Sequence, residues 1–303
     1  MVSAPKSRFQ ILTDTQWDLI APLLPAPTGK RGRPFSDPRL MIEGIIYRYR
    51  TGIPWRDVPE TYGPWQTVWT WHRRLSKNHT WDTIQDTLTA AADAEGLIDW
   101  SVSIDSTIAR AHQHATNITR LKKGSSNCKD LLTEPLDHAV GRSRGGLTTK
   151  THQLVDGHGK PLVTVCTAGQ DGDSPMLPFL LQGLSVPRQG PGRPRTKPDA
   201  VLADKAYSSK AHRELLRSRK ITAVIPERED QKRHRKNRGP AGGRPPGFDA
   251  QVYKGRNVVE RGFSVLKQWR GIATRYDKLH ETYRAAVVLH GVVSWLKELT
   301  DTP

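Results

Sequence analysis

The spacing of apolar and polar positions changes near residue 100. Before that point apolar residues recur three and four positions apart, the spacing that gathers them on one face of an α-helix. Thr13 or Asp14, and Ser36 or Asp37, have the side chains that cap helix N-termini. The helices predicted in this part of the chain cover residues 13–24, 37–50, 64–78 and 80–97. Residues 1–99 are therefore predicted to form an all-α region.

After residue 100 short apolar runs typical of β-strands appear, and helical patterns separate some of them. The predicted strands are residues 101–105, 151–157, 161–169, 200–204 and 221–226. The predicted helices are residues 174–184, 208–220, 252–269 and 282–299. Three strands in succession, followed by strands that alternate with helices, predict a mixed α/β sheet in residues 100–303. Three stretches rich in Gly, Pro, Lys and Arg, at about 116–147, 186–198 and 227–248, are predicted to be flexible basic loops.

The charge balance indicates a polyanionic partner. The chain has 47 Lys and Arg against 30 Asp and Glu, a formal net charge of +17. Long-range attraction of this sign favours nucleic acid. A membrane surface is less favoured, because the basic stretches contain Pro and Gly and do not form an amphipathic helix. Charge alone is also compatible with a basic enzyme that acts on another substrate.

Other features of the composition exclude several classes. Cys128 and Cys166 have no cysteine nearby, so neither a zinc module nor a disulfide framework is indicated. The first ten residues lack the apolar core of a signal peptide. The apolar stretch 285–296 is too short to span a bilayer and contains His290. We therefore expect a soluble, cytoplasmic protein.

One predicted helix carries a distinctive polar stripe. If residues 253–267 are helical, Tyr253, Arg256, Glu260 and Lys267 fall on one narrow face beside an apolar face. A solvated surface stripe with an Arg–Glu pair four residues apart would look the same. The helix alone favours that simpler interpretation.

Two aspartates change the balance, because Asp105 and Asp204 each end a predicted strand. Open α/β sheets bind ligands at the carboxyl ends of their strands, and an unpaired buried charge is costly. With Glu260, these carboxylates could hold two hard cations such as Mg²⁺ or Mn²⁺, whereas Zn²⁺ prefers His and Cys. Paired metals stabilise both oxygens of a phosphoryl displacement. Either aspartate taken singly is equally compatible with a turn or a helix cap.

These residues resemble a known family. Tyr253, Arg256, Glu260 and Lys267 match the Y-x2-R-x3-E-x6-K signature of insertion-sequence DDE transposases, the insertion sequence four/five superfamily. Asp105 in SIDSTIARAH resembles their first acid, and Asp204 in VLADKAYSS resembles their second. The similarity continues at 141–152 and 267–279 and covers the N-terminal half, so it spans nearly the whole chain. Ala206 departs from the pattern, since many relatives carry Gly there.

The resemblance implies a fold, a chemistry and partners. It implies a ribonuclease-H-like catalytic domain, residues 100–303, after a helical DNA-binding domain, residues 1–99. Asp105, Asp204 and Glu260 would be the catalytic acids and the ligands of two Mg²⁺ or Mn²⁺ ions. The enzyme would cut the ends of an insertion sequence and join the freed 3′-OH to target DNA. The implied partners are double-stranded DNA, at terminal inverted repeats and target, and a second copy of the chain; the implied location is the bacterial nucleoid. If Glu260 is not the third acid, Asp173 and Glu281 are the next candidates for that role.

Several cations are candidate DNA contacts. By the resemblance, Tyr253, Arg256 and Lys267 hold phosphates beside the cut, and Arg142, Arg144 and Lys150 also contact DNA. A helix-turn-helix arrangement would bring Gln66, Thr67, Thr70, Arg73 and Arg74 of the third helix to DNA. Trp65 and Trp69 of that helix are predicted to be core residues. Arg31 and Arg33 resemble a minor-groove hook, although a basic connector is the favoured interpretation. The H-x-H at His112 and His114 suits structural or phosphate contacts better than metal binding.

Two other functions compete with transposition. A catalytically inactive, transposase-derived DNA-binding protein or repressor would keep the basic surface and lose the chemistry. A metal-dependent nuclease of the same fold would cut DNA without joining it. The presence of all three acids argues against the first, and the long N-terminal region with the Tyr, Arg and Lys of the signature argues against the second.

Overall fold

The computed structural model describes residues 9–26, 36–118 and 134–301. Arg31 and Arg33 of the predicted hook, Cys128, and residues 119–133 of the first predicted loop lie outside these ranges. None of the helices in the described segments has the length and apolar content that a bilayer crossing needs.

Four helices form the N-terminal part, as predicted. They are α1 (Asp14–Ile20), α2 (Pro38–Thr51), α3 (Trp65–Lys77) and α4 (Thr80–Ala94). Thr13 caps α1 in a capping box with Gln16, and Asp37 accepts hydrogen bonds from the first backbone N–H groups of α2. Gly52 ends α2 at a φ of 74°, a conformation that glycine adopts without steric cost. The 51–64 connector contains two short 3₁₀ turns, at Trp55–Asp57 and Glu60–Tyr62.

The second part is built on a mixed sheet. The described strands are β1 (Ser101–Ala111), β2 (Gly141–Ser143), β3 (Gly146–Val155), β4 (Pro161–Ala168), β5 (Ala200–Ala203), β6 (Thr222–Val224) and β7 (Thr274–Arg275). β1 is central, antiparallel to β3 and parallel to β5. β3 also pairs with β2 and β4, and β5 pairs in parallel with β6. Three long antiparallel strands followed by two parallel ones confirm the predicted ribonuclease-H-like fold.

Two strand predictions need correction. A short strand, β2, lies in the stretch predicted to be a loop, so the strand that precedes Asp204 is the fifth of the described strands and not the fourth. Asp105 does not end its strand, because β1 continues to Ala111. The partner strand β3 extends the pairing as far as Arg110, and this ladder keeps the polar half of β1 extended.

The helices of this part flank the sheet. They are α5 (Gln113–Thr116), α6 (Leu177–Gly183), α7 (Lys210–Ser218), α8 (Glu229–Asn237), α9 (Ala250–Lys254), α10 (Asn257–Lys267), α11 (Arg270–Ala273) and α12 (His280–Asp301). α8 lies in a stretch predicted to be a flexible loop. Its first turn is acidic and its last turn basic, which complements the helix dipole. The predicted loop 186–198 is tied by a bridge between Val186 and Arg195.

The predicted helix 252–269 is broken into α9 and α10. At the break the backbone N–H groups of Gly255 and Arg256 donate to the carbonyl oxygens three residues earlier, on Val252 and Tyr253. Such 3₁₀-type bonds interrupt the α-helical pattern. Glycine has a low helix propensity, and here it also lies close to Leu202 of β5, 3.6 Å from where a Cβ would stand. The break places Arg256 at the N-terminus of α10, next to the sheet.

The N-terminal helices pack directly on the second part. α4, α3 and α1 contact α12, and α2 contacts α11. One continuous core of buried apolar residues runs through both parts. Tyr49 of α2 donates a hydrogen bond to Asp277 at 3.1 Å, and His72 of α3 is bonded to the backbone of Thr282 at 3.1 Å. The predicted division between residues 99 and 100 remains a prediction, and the two parts share this packed and hydrogen-bonded interface.

Candidate active site

Asp105 and Asp204 lie side by side. β1 and β5 run parallel, and the last pair in their register is Ile104 with Ala203. Each aspartate is the next residue on its strand, so the register brings the two carboxylates to the same edge. The Asp204 carboxylate accepts a hydrogen bond from Ala206 N at 2.7 Å and so also caps the 3₁₀ turn that follows.

Arg256 joins Asp105 to Glu260. Its Nη2 lies 2.6 Å from Oδ2 of Asp105, and its Nη1 lies 2.7 Å from Oε1 of Glu260. The arginine side chain is 14% exposed and that of Glu260 is 55% exposed. The simple helical pair considered from sequence therefore exists, but the same guanidinium also holds a strand aspartate. Arg256 is thus a fixed counter-charge between two of the three predicted acids.

Burial and nearby charges together set the pKa of Asp105. Burial raises the pKa of its carboxyl group, and the nearby charges of Asp204 and Asp173 raise it further. The backbone N–H of Ser106, 2.8 Å from Oδ1, and the charge of Arg256 act in the opposite direction. The net pKa lies above the usual value, as expected where several acids crowd one partly buried place. Carboxyl groups with pKa values perturbed in this way are common at functional sites.

Two tyrosines line the acids. Tyr207 is 1% exposed, and within the described ranges its hydroxyl has no hydrogen-bond partner. Burial raises the pKa of Tyr207, and the charges of Asp173, Asp105 and Asp204 add to the rise. Burial also raises the pKa of Tyr253, which packs beside Phe248 with 5.3 Å between ring centres. Both phenol groups are therefore neutral beside the acids.

The other basic residues of the predicted site are spread along the surface. Lys267 is exposed at the end of α10, seven residues and so about 10 Å beyond Glu260. Arg142 and Arg144 are exposed on the β2–β3 hairpin. That hairpin lies near Arg110, five residues and so about 17 Å along β1 from Asp105.

Lys150 occupies a different environment from the other predicted DNA contacts. It is 9% exposed, and its Nζ lies 3.0 Å from Oδ1 of Asp173 and 2.7 Å from the carbonyl oxygen of Asp171. His152, two residues further along β3, is fully buried, and burial lowers its pKa to about 4. Its ring is therefore neutral. Lys150 is thus a structural partner of Asp173 in this arrangement.

The third helix presents the predicted polar residues to solvent. Gln66, Thr70, Arg73 and Arg74 are exposed, while Thr67 is partly buried. The prediction that Trp69 belongs to the core is wrong, because it is 38% exposed and Trp65 is only partly buried. The inner face consists instead of Val68, Trp71, His72 and Leu75. The Arg73 guanidinium lies over Trp69, 5.5 Å from the ring centre.

The described residues contain no group of three or more His, Cys, Asp or Glu side chains that could hold a metal ion. The His112 ring packs edge-to-face against that of His114 and tilted against that of Tyr276, contacts that suit a structural role. Cys166 is buried and free. The carboxylate set of Asp105, Asp204 and Glu260 nevertheless has the oxygen donors that Mg²⁺ and Mn²⁺ prefer. The Arg256 guanidinium supplies positive charge to two of those three acids, Asp105 and Glu260.

Three further residues lie beside the predicted acids, two without a predicted role and one predicted only as a reserve acid. Ser106 and Tyr207 closely follow the two aspartates, and their positions beside the acids were the available signal. Asp173, predicted only as a substitute for Glu260, accepts a hydrogen bond from the Ser106 hydroxyl. Its charge also helps to raise the pKa of Asp105. Glu281 is not in this cluster; its backbone N–H donates to Glu134.

Two family models match the chain. The model described as "Transposase DDE domain" matches residues 99–293, and "Putative transposase of IS4/5 family" matches residues 12–85. The first covers more than half of the chain and includes all three predicted acids.

Several known proteins are similar to parts of the chain. "Uncharacterized protein y4sN" of Sinorhizobium fredii is 39% identical over 37% of this chain and 86% of its own length. "Putative transposase for insertion sequence element IS6501" of Brucella ovis is 33% identical over 50% of this chain and its full length. The protein of the same description for IS402 of Burkholderia cepacia is 30% identical over 49% of this chain and 62% of its own. "Crystal structure of a pre-cleavage Mos1 transpososome" aligns with 90% of this chain and 81% of its own at 11% identity, with a TM-score of only 0.26.

Proposed function

Because the chain belongs to the transposase DDE domain family, as its match over residues 99–293 shows, we propose that it cuts the ends of an insertion sequence and joins the freed 3′-OH to target DNA. The observation that carries the proposal is the meeting of Asp105 and Asp204 on neighbouring parallel strands, with Glu260 tied to Asp105 through Arg256. Two strand acids that meet in a partly buried place, with a third acid linked to one of them through a guanidinium, suit a site that needs bound cations to neutralise it.

Each residue of the site has a role in this proposal. Asp105, Asp204 and Glu260 would hold two Mg²⁺ or Mn²⁺ ions, which supply positive charge for the attacking and leaving oxygens of the phosphodiester. Arg256 binds a phosphate through its planar fork, Lys267 binds one as a point charge, and Tyr253 donates a hydrogen bond. Their work is positioning and charge neutralisation, which is most of what phosphoryl transfer requires.

The DNA extends beyond the acids in this proposal. Arg142 and Arg144 on the β2–β3 hairpin bind phosphates. The exposed face of α3 binds the terminal inverted repeat. Two ends must come together for joining, so the active complex contains two copies of the chain. Arg31 and Arg33, which lie outside the described residues, are further candidate DNA contacts in the same proposal.

Strand transfer with a metal requirement tests the proposed function. With Mg²⁺ or Mn²⁺ the full chain is expected to cut a duplex that carries the element's end and to join the product to a second duplex. Chelation with EDTA is expected to stop both steps and leave binding intact. Binding without cutting would identify the inactive repressor, and cutting without joining would identify a nuclease; either result would contradict the proposal.

The face of α3 offers a test of end recognition in the full chain. Changing Arg73 and Arg74 together to Gln is expected to weaken binding to the element's end and to lower the slope of log K against log salt by about one per lost phosphate contact. Fluorescence anisotropy at several salt concentrations measures both. Lys210→Gln, at a side chain 90% exposed on α7, is the matched control. Equal losses of DNA affinity in the control and the double variant would contradict the placement of α3 in the DNA interface.

A further inference from the structure

A second polar cluster, built on the residue after Asp105, lies on the opposite face of the same strands. In the β1–β3 register Ser106 pairs with His152 and Ile108 pairs with Lys150. Ser106, His152 and Lys150 therefore project from the same face, and Asp173, just before α6, meets all three. Its Oδ1 lies 2.6 Å from the Ser106 hydroxyl, 3.0 Å from Lys150 Nζ and 3.8 Å from His152 Nδ1.

The direction of these hydrogen bonds is fixed by the chemistry of the groups. Burial alone would raise the pKa of Asp173, but the bonds from Ser106 and Lys150 outweigh it and lower that pKa. Asp173 is thus an ionised carboxylate, which can only accept hydrogen bonds. The single proton of the Ser106 hydroxyl must then point to Asp173. The short distance is typical of a charge-assisted bond.

Ser106 also contacts Asp105 directly. Its backbone N–H donates to Oδ1 of Asp105 at 2.8 Å, while Arg256 holds Oδ2 at 2.6 Å. The two oxygens of Asp105 are therefore held separately, one by the backbone of Ser106 and one by a guanidinium. Asp173 fixes the side chain of the same serine, so a continuous chain of short hydrogen bonds runs from Asp173 through Ser106 to Asp105.

Lys150 keeps Asp173 in place. Its ammonium group spans the Asp173 carboxylate and the Asp171 carbonyl, and it is nearly buried. Without a cation at this point, a fourth carboxylate beside Asp105 and Asp204 would be repelled by them or would bind a divalent cation itself. The charge of the lysine, 3.0 Å from Oδ1 of Asp173, offsets this repulsion and weakens the attraction of the carboxylate for a divalent cation.

We propose that Asp173 is a positioning residue, which acts through the Ser106 hydroxyl to hold the Asp105 carboxylate in the orientation that binds a divalent cation, with Lys150 keeping Asp173 itself out of the ligand set. This inference rests on the proposed function. It deepens that function by assigning residues that hold one of the three acids, Asp105, in place. Supporting partners of this kind typically contribute about 10- to 100-fold in metal affinity.

The competing role, in which Asp173 is itself a ligand, predicts a different pattern of variants. Positioning through Ser106 requires that Ser106→Ala and Asp173→Ala weaken Mn²⁺ binding alike, by about 10-fold or more. Combining them should add little, because both remove the same link. Asp173→Asn keeps an acceptor for the hydroxyl and Ser106→Thr keeps the hydroxyl, so both should retain most of the affinity. A direct ligand would instead make Asp173→Asn as damaging as Asp173→Ala and leave Ser106→Ala near wild type.

Direct Mn²⁺ binding by electron paramagnetic resonance, on the full chain with end duplex, separates these patterns. Cleavage against Mn²⁺ concentration is followed in parallel, and thermal unfolding and DNA binding verify that each variant folds. Ser101→Ala on the same strand is the matched control. Wild-type affinity in Ser106→Ala, or equal damage from Asp173→Asn and Asp173→Ala, would overturn the inference while Glu260→Gln still collapses cleavage. Binding without cutting, or cutting without joining, by the wild-type chain would instead contradict the proposed function on which this inference rests.

Discussion

Glu260→Gln is expected to reduce cleavage and strand transfer by orders of magnitude while folding and DNA binding survive. The substitution keeps the shape of the side chain and removes its charge. Glu260 is 55% exposed, so the loss of its pair with Arg256 should cost well under ~1 kcal/mol of stability. A large loss of rate with unchanged binding is the mark of an interaction needed mainly in the transition state. Asp105→Asn and Asp204→Asn should behave alike, and combining two should add little.

The chain provides a closely matched control for this experiment. Glu214 on α7 is also 55% exposed and also pairs with a cation four residues away, Lys210, at 3.6 Å. Glu214→Gln should leave cleavage unchanged. The assay is cleavage of an end-containing duplex with Mg²⁺ or Mn²⁺, with binding and thermal unfolding measured beside it. Near-normal cleavage by the Glu260→Gln variant would contradict the assignment of Glu260 and direct the search to the other acids, with Asp173 first.

Arg256→Gln is expected to act in opposite directions on two measurements. In the absence of DNA its guanidinium neutralises Asp105 and Glu260. Removing it leaves three crowded acids without that counter-charge, so the free protein should bind Mn²⁺ several-fold more tightly. Cleavage should nevertheless fall by about 10²-fold or more, because a charged donor to the reacting phosphate is lost. A residue that merely stabilised the fold would not raise metal affinity.

The contact of Arg256 with Asp105 and Glu260 also predicts that DNA and metal each strengthen the binding of the other. A phosphate that draws Arg256 away frees the acids, and a cation on the acids frees Arg256 for phosphate. Coupling of this kind is reciprocal, so end duplex should tighten Mn²⁺ binding by the factor by which Mn²⁺ tightens DNA binding. Paramagnetic resonance and anisotropy titrations measure the two sides. Arg261→Gln, at an exposed arginine on the same helix, should keep the coupling, whereas Arg256→Gln should lose it. If end duplex leaves the Mn²⁺ affinity of the wild type unchanged, Arg256 does not exchange between the acids and the phosphate.

Local pattern was sufficient for much of the fold. Apolar periodicity located α1 to α4 because each buries one face, and it located the long strands because their apolar runs are short and bounded by turns. It failed where tertiary contacts overrode local preference. Trp69 was predicted to be buried from its spacing, yet α3 turns a different face to the core. α8 was predicted to be a loop from its composition, yet charge pairs along the segment and a bond from Gln231 to Ser208 support a helix.

The sequence by itself determined which acids to consider. Asp105, Asp204 and Glu260 were identified from two strand patterns and one signature, since strand ends and helix stripes are encoded within a few residues. Only the tertiary structure decided which groups touch them. Arg256 meets Asp105 across 151 residues of chain, and Asp173 meets Ser106 across 67. Contacts at such separations depend on strand register and on the break at Gly255. A register is fixed by pairing over the whole sheet, and no short stretch of sequence specifies it.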